Sequence, residues 1–223
     1  KAETSTNTSV GLTGKPNDRI TFNLDTYYMR IKDRIVLSGR FSDGFEDLLN
    51  PIHVGAAQFF TNAANTETAG VDVSTSYNMV IRKGIIRLSV KYNYSVTTMM
   101  DSANVTGVLI GNAETLFNRE EVSRLESAQP RNKAIVFIDY SMKKWNFSVR
   151  NTYFGSVKYV HPDDGDPTNW VLNTYTGRVE SRDQTFKGKL ITDFNVSYSI
   201  DKNINISLGG SNVFNIYPDL HQH

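Results

Sequence analysis

The densest gathering of chemically capable side chains is His161-Pro162-Asp163-Asp164-Gly165-Asp166, an imidazole and three carboxylates within six residues. Closely spaced Asp oxygens suit a calcium ion, but a calcium loop fixes its ligands over about twelve residues and this stretch supplies only part of that pattern. It reads better as a solvated loop. His53, His221 and His223 stand apart from it and from one another, so neither haem nor a metal is expected at them. No HExxH helix and no Ser/His/Asp order stands out, and Gly209-Gly210 ends a strand rather than opening a phosphate loop. The chain has no cysteine, which rules out disulfides and thiolate chemistry. The reading expects no catalytic residue, no metal ligand and no cofactor.

What remains is a set of cations, Arg87, Lys91, Arg150 and Lys189, in stretches with a distinctive period. Residues 20–25 (ITFNLD), 86–94 (IRLSVKYNY), 145–153 (WNFSVRNTY) and 204–211 (INISLGGS) alternate apolar and polar positions. Successive side chains of a strand point to opposite faces, so each stretch has one apolar face and one hydrophilic face. A turn beginning with tyrosine repeats at Tyr77, Tyr140 and Tyr198. The water-facing set includes Thr21, Asn23 and Asp25; Arg87, Ser89, Lys91 and Asn93; Asn146, Ser148 and Arg150; Asp193, Asn195 and Ser197; and Asn205 and Ser207. Arg87, Lys91, Arg150 and Lys189 are the candidate contacts for a solute or for a protein segment filling the enclosed space; the competing reading is that they bond neighbouring polar groups.

Composition narrows the setting of these strands. The 223 residues carry a formal net charge of +1, so no basic footprint for nucleic acid is present. Mean hydropathy is −0.38, and no apolar run approaches the ~18 residues of a membrane helix. That leaves a membrane barrel open, because its strands are apolar only at alternate positions. Aromatic residues make up 11%, in keeping with strands and interface girdles. The chain starts at Lys1 with no signal peptide and reads as mature sequence or a piece of a longer chain.

The spacing predicts eight strands: Ser5–Lys15, Arg19–Phe41, Gln58–Tyr77 with Gly70 as a bulge or close approach, Ile85–Thr98, Lys133–Tyr140, Trp145–Tyr159, Gln184–Ser199 and Asn203–Val213. Residues 114–126 (ETLFNREEVSRLE) have the composition of a short helix. Connections at Pro16, Asn78–Gly84, Ser141–Lys144 and Ile200–Lys202 are short; those after Phe41, Thr98 and Tyr159, including His161–Arg182, are long. Short turns at one end and long loops at the other are how outer-membrane barrels are built, and the strands reach the ~9–11 residues needed to cross a bilayer. Tyr77, Tyr140, Tyr198 and Trp145 fall at one level, as an aromatic girdle would. The expected fold is all-β: an antiparallel up-and-down transmembrane β-barrel, here a partial arc of about eight strands, with residues 1–223 part of one barrel domain. A soluble barrel or sandwich with its faces reversed shows the same alternation.

Several stretches resemble the C-terminal part of the TonB-dependent outer-membrane receptors. Tyr27-Tyr28 before Ile31–Ile35 is similar to that family's strand leading to an outer loop. Phe59–Ala63 followed by Ala69–Val73 is similar to its descending strand, and Leu116-Phe117 with Gln129–Lys133 to the segment re-entering the barrel. Asn212-Val213-Phe214-Asn215 with Tyr217-Pro218-Asp219 is similar to the end of its penultimate strand. The resemblance implies a late arc of a 22-stranded barrel with a plugged lumen. It implies an energy-coupled importer of a scarce solute such as a ferric siderophore, haem, cobalamin or glycan, with no covalent chemistry. The implied partners are the outer-membrane lipid bilayer, the imported solute, and an inner-membrane energy-coupling protein acting through a plug; the plug, its coupling box and a closing strand are absent from this sequence. The alternatives are a complete eight-stranded outer-membrane barrel with a passive or structural role, and a soluble β-barrel binding an apolar ligand.

Overall fold

The computed structural model describes residues 2–42, 44–102 and 113–221. In chain order the strands are β1 (Thr4–Asn17), β2 (Ile20–Leu37), β3 (Phe60–Ile81), β4 (Gly84–Ser102), β5 (Asn132–Met142), β6 (Trp145–Phe154), β7 (Val157–Tyr159), β8 (Val171–Asn173), β9 (Arg178–Glu180), β10 (Gln184–Phe186), β11 (Lys189–Ser199) and β12 (Asn205–Gly210). The helices are α1 (Glu46–Leu49), α2 (Ala113–Leu116) and α3 (Arg119–Glu126). Among the described residues no helix is long and apolar enough to cross a membrane, a test that says nothing of strands.

Eight strands form one sheet in the order β1-β2-β3-β4-β5-β6-β11-β12, every neighbour antiparallel. The connections are as short as their residues permit. Asn17 Oδ1 accepts from the Arg19 and Ile20 amides at 2.9 and 3.0 Å, and Asp201 Oδ1 accepts from Asn203 and Ile204 at 2.7 and 3.0 Å. Both are Asx turns, in which a short polar side chain completes the backbone bend. Lys143 takes positive φ (52°) in the β5–β6 turn.

Register fixes the faces. The row Ser76–Ser89–Phe137–Arg150–Asp193 runs across the sheet by direct pairing, as does Tyr77–Leu88–Ile138–Val149–Phe194 on the other face. The apolar face stays bare: Val73, Ile138, Phe194 and Leu208 are all exposed. The buried hydrophobic residues lie instead at the long-loop end: Phe41, Leu49, Ala64, Leu116, Phe117 and Val160. A soluble barrel would bury its apolar face, and this sheet leaves that face for hydrocarbon. At the short-turn end it carries packed aromatics, with Trp145 4.7 Å from Tyr198 and 5.9 Å from Phe147, and Tyr140 6.3 Å from Phe147. β1 and β12 each pair on one side only, so the sheet is open.

Several boundaries differ from the sequence reading. The long strand Trp145–Tyr159 breaks after Phe154, and Gln184–Ser199 breaks between Phe186 and Lys189; the outer pieces β7 and β10 pair with each other in a separate small sheet. β2 ends at Leu37, four residues short of Phe41, which makes an isolated bridge to Ala57. β3 passes Tyr77 to Ile81, shrinking the Asn78–Gly84 turn to Arg82-Lys83. β12 spans only Asn205–Gly210 of the expected Asn203–Val213. Gly70 is a close approach and not a bulge: its pairing is unbroken, and a Cβ there would fall 2.3 Å from the Tyr27 ring. The register shifts lie between Gly14 and Asn17 of β1, from Ile31 to Ile35 of β2, and between Asn65 and Thr66 where β3 meets β4.

The single helix expected over residues 114–126 is two. Phe117 leaves the helical path to join Phe41, Ala64 and Leu116 in the loop-end core, backed by Val36, Phe45, Met99 and Leu125. Asn118 then caps α3, its Oδ1 accepting from the Glu121 amide at 3.0 Å, the usual role of Asn at a helix start.

Candidate functional site

The hollows of the sheet gather hydrophilic-face side chains from β2 to β12. One, of about 290 Å³, lies among Asp25, Asp72, Lys91, Asn93 and Lys133. Another, of about 430 Å³, is bordered by Lys91, Lys133, Arg150, Phe137, Phe154 and Asp193. Lys91 and Arg150, expected from the alternation, therefore meet in one hollow. Arg87 lies on the same face two pairs nearer the short turns, opposite Asn78 and Asp139, outside both hollows.

Lys189 has a different fate. Its Nζ is 2.5 Å from Asp219 Oδ1, and Asp219 Oδ2 also accepts from the Lys187 amide at 2.7 Å. Lys189 thus ties the segment after β12 to the start of β11. The alternation did not single out Lys133, which sits with Lys91 and Arg150.

Phenyl rings hold two of the clustered cations in place. Lys133 Nζ lies 5.1 Å from the Phe154 centroid and the Arg150 guanidinium carbon 5.6 Å from that of Phe137, within the range of cation–π attraction. Among the described residues none of Lys91, Lys133 and Arg150 has a carboxylate within ion-pair distance, and three nearby carboxylates accept from neutral amides instead. Asp72 accepts from Asn93 Nδ2 at 2.8 Å, Asp139 from Asn146 Nδ2 at 2.6 Å, and Asp193 from the Asn212 amide at 2.9 Å. The larger hollow therefore sets three cations against the one carboxylate of Asp193, beside aromatic surface, a net positive lining that attracts anions.

At the long-loop end, two carboxylates lock the layer above the wall. Asp164 has a fully buried side chain. It accepts from Arg182 Nε at 3.0 Å and Nη2 at 2.5 Å, from Ser181 Oγ at 3.2 Å, and from the Arg182 amide. Burial alone would push the Asp164 carboxyl up; the bonds and charge of Arg182 outweigh it and hold the group below the usual carboxylate range. Asp183 receives both arms of Arg119 at 3.0 and 2.9 Å and the His161 amide at 2.9 Å. Burial raises it and these partners again bring it below the ordinary value. The His161–Asp166 stretch is therefore not uniformly solvated. Asp163 is exposed, Asp164 is an internal anchor, and Asp166 caps a turn through the Thr168 amide at 2.9 Å. Among the described residues no group of three or more His, Asp and Glu side chains gathers to hold a metal.

Arg119 is positioned by α3, whose first turn carries Glu120 and Glu121 and whose Arg124 bonds both at 2.6 Å. Beyond β12, Asn212 adopts positive φ (49°). Its amide donates to the Ile216 carbonyl and accepts from the Ile216 amide, both at 2.9 Å. One side chain thereby replaces a backbone pair where the chain turns back over β11.

A family model described as TonB dependent receptor-like, beta-barrel, matches residues 1–213. No curated protein matches the sequence. Among solved structures, the chain is similar to the FrpB iron transporter of Neisseria meningitidis, with 17% identity and a TM-score of 0.63 over 100% of this chain and 29% of that one. It is also similar to the outer membrane transporter YddB of Escherichia coli, with 12% identity and a TM-score of 0.65 over 98% of this chain and 29% of that one. The ferripyoverdine receptor of Pseudomonas aeruginosa aligns at 14% identity and a TM-score of 0.55 over 99% of this chain and 25% of that one. The chain thus spans less than a third of the length of these structures.

Proposed function

This chain belongs to the TonB dependent receptor-like β-barrel family, and on that premise we propose that it is part of one barrel domain of an energy-coupled importer of a scarce, anionic solute. The family's members are transporters of the bacterial outer membrane and not enzymes. The anionic class is supported by the hollow of Lys91, Lys133 and Arg150, three cations against the one carboxylate of Asp193. A ferric siderophore has the matching chemistry, a polyanionic metal chelate; haem, cobalamin and glycans are the competing cargoes. Two of the similar structures are described as an iron transporter and a ferripyoverdine receptor, which supports the iron-bearing class. Energy would arrive from an inner-membrane protein through a plug inside the barrel. The mixed wall favours a second role for the same side chains: Asp25 directly opposite Asp72, a few residues from the cations, suits a protein surface of alternating charge, so Arg87 and the acidic pair would face the plug.

The test is uptake of labelled iron chelates by cells whose only receptor is the full-length protein. Uptake is expected to need the inner-membrane motor and to fall about tenfold in the triple variant K91Q/K133Q/R150Q, the low end of what a charged cleft contributes to capture. Uptake that survives loss of the motor overturns the importer reading. Uptake unchanged in the triple variant overturns the role of the hollow.

A further inference from the structure

Several cations at the long-loop end are held by carboxylates, and those of the short turns are mostly not. At the long-loop end Arg119, Arg124, Arg182 and Lys189 each meet a carboxylate at 2.9 Å or closer. At the short-turn end every connection is basic: Lys15 and Arg19 flank the first, Arg82-Lys83 form the second, Lys143-Lys144 the third, and Lys202 lies in the fourth. Among the described residues only Lys15 of these has a carboxylate partner, Asp18 at 3.1 Å. Asp201 is engaged by its own turn. Arg19, Arg82, Lys83, Lys143, Lys144 and Lys202 are all exposed, and among the described residues none is in an ion pair. Lys144 donates to the Ile200 carbonyl at 2.6 Å and lies 6.0 Å from the Tyr198 ring.

The level of these charges is fixed by the aromatic row beside them. Trp145 directly follows Lys144, and Trp145, Tyr198, Phe147 and Tyr140 sit together on the hydrocarbon face. Amphipathic rings mark the boundary between acyl chains and headgroups, so cations one or two residues beyond them stand at phosphate level. In an outer-membrane barrel the short turns face the periplasm, and the adjoining leaflet is the inner one.

We propose that the short turns form a basic collar that gathers anionic phospholipid headgroups of the inner leaflet around this stretch of the wall. Basic side chains clustered just outside a membrane segment attract anionic lipid cooperatively and in a salt-dependent way. The collar lies at the opposite end from the loops and outside the lumen, so it serves the wall's seating in the bilayer and not the capture of solute.

The experiment uses the purified full-length receptor in detergent, titrated with phosphatidylglycerol or phosphatidylcholine of identical chains, with retained lipid counted by native mass spectrometry. Wild type is expected to retain phosphatidylglycerol about tenfold more tightly, and 1 M salt is expected to remove most of that preference. The variant R82Q/K83Q/K143Q/K144Q is expected to lose it while keeping its heat-modifiable mobility and its solute uptake. Equal retention of the two lipids by wild type, a preference that survives 1 M salt, or an undiminished preference in the folded variant each overturns the proposal. Competition by inorganic phosphate at the lipid's own concentration also overturns it, since that marks a simple anion site. The salt arm needs no variant, so a variant that fails to fold leaves the test intact.

Discussion

Asp164→Asn should open the loop layer while leaving the wall untouched. The substitution keeps the side chain's shape and removes its charge. Arg182 then has a buried neutral partner whose NH2 group faces its own donors, and the Arg182 amide and Ser181 hydroxyl lose a charged acceptor. Removing one member of a fully buried, hydrogen-bonded ion pair costs about 3–5 kcal/mol. Arg182 keeps 21% of its side-chain surface in water and can partly rehydrate, so about 2–3 kcal/mol is the better figure, near the net worth of charge-assisted bonds. That corresponds to a local opening constant raised roughly 30- to 150-fold, at about 1.4 kcal/mol per tenfold. The assay is native-state hydrogen exchange on the full-length receptor. Exchange at Arg182 and across β7 and β10 should accelerate by that factor, and exchange at Val196 in β11 should not change. Asp163→Asn, at a side chain 67% exposed, is the control and should leave both unchanged. Acceleration below about threefold at Arg182, or equal acceleration in β11, would show that Asp164 does not anchor this layer.

The same two carboxylates set an acid limit. Asp164 and Asp183 are both held below their ordinary values, so the stability they add is fully present above the unfolded-state range near pH 4 and is lost as pH falls through the lower folded values. Proteolytic nicking of residues 161–183 should therefore rise below about pH 4 and stay flat from there to neutrality. Gly39→Ala places a methyl 2.1 Å from the Thr115 carbonyl oxygen and disturbs the bond from the Gly39 amide to Leu116 O; a loss of about 1–3 kcal/mol is expected, read as faster exchange in α2 and α3. At Asn212 the order of thermal stability should be Asn above Gly above Ala: glycine loses both bonds to Ile216, and alanine loses them and adds about 1 kcal/mol of left-handed strain. An alanine variant as stable as wild type would remove the role assigned to that amide. Residues 1–223 expressed alone leave the β1 and β12 edges unpaired, which hydrocarbon does not tolerate, and should give no heat-modifiable monomer in bilayers.

The wall was legible because its information is local. A period of two survives in any single strand, and register then carries it from strand to strand: Thr21, Ser76 and Ser89 meet across β2, β3 and β4 as their alternation predicts. Turn chemistry was equally local, with Asn17 and Asp201 completing their own bends. Lys133 escaped notice for the converse reason. It precedes Ala134-Ile135-Val136-Phe137-Ile138, where both faces are apolar and alternation vanishes, so only pairing with Asn93 and Phe154 places it on the hydrophilic face. The strand breaks were hidden because their cause lies far along the chain. β7 and β10 leave the wall for a layer held by the Arg119–Asp183 pair, 64 residues apart, and no window of sequence contains both.

Arg150 and Lys189 show where pattern stops and partner begins. Both are cations on the hydrophilic face, and alternation assigns them the same role. Lys189 meets Asp219 because Asn212, at positive φ, turns the chain after β12 back along β11 and carries that carboxylate to it. Arg150 lies directly opposite Asp193, the more obvious partner by register, yet the Asn212 amide occupies Asp193 and the guanidinium stacks on Phe137. The turn at Asn212 thus helps pair one cation through its side chain's bonds to Ile216 and engages the carboxylate beside the other through its backbone N–H. The charge presented to the lumen is therefore set by the return path of residues 211–219 as much as by the strands that carry it. Asn212→Ala keeps the backbone N–H that Asp193 accepts from but loses both side-chain bonds to Ile216. It should therefore loosen the return path and release Asp219 from Lys189, read as faster exchange of the Lys187 amide that Asp219 now holds; unchanged exchange there would refute the role given to this turn.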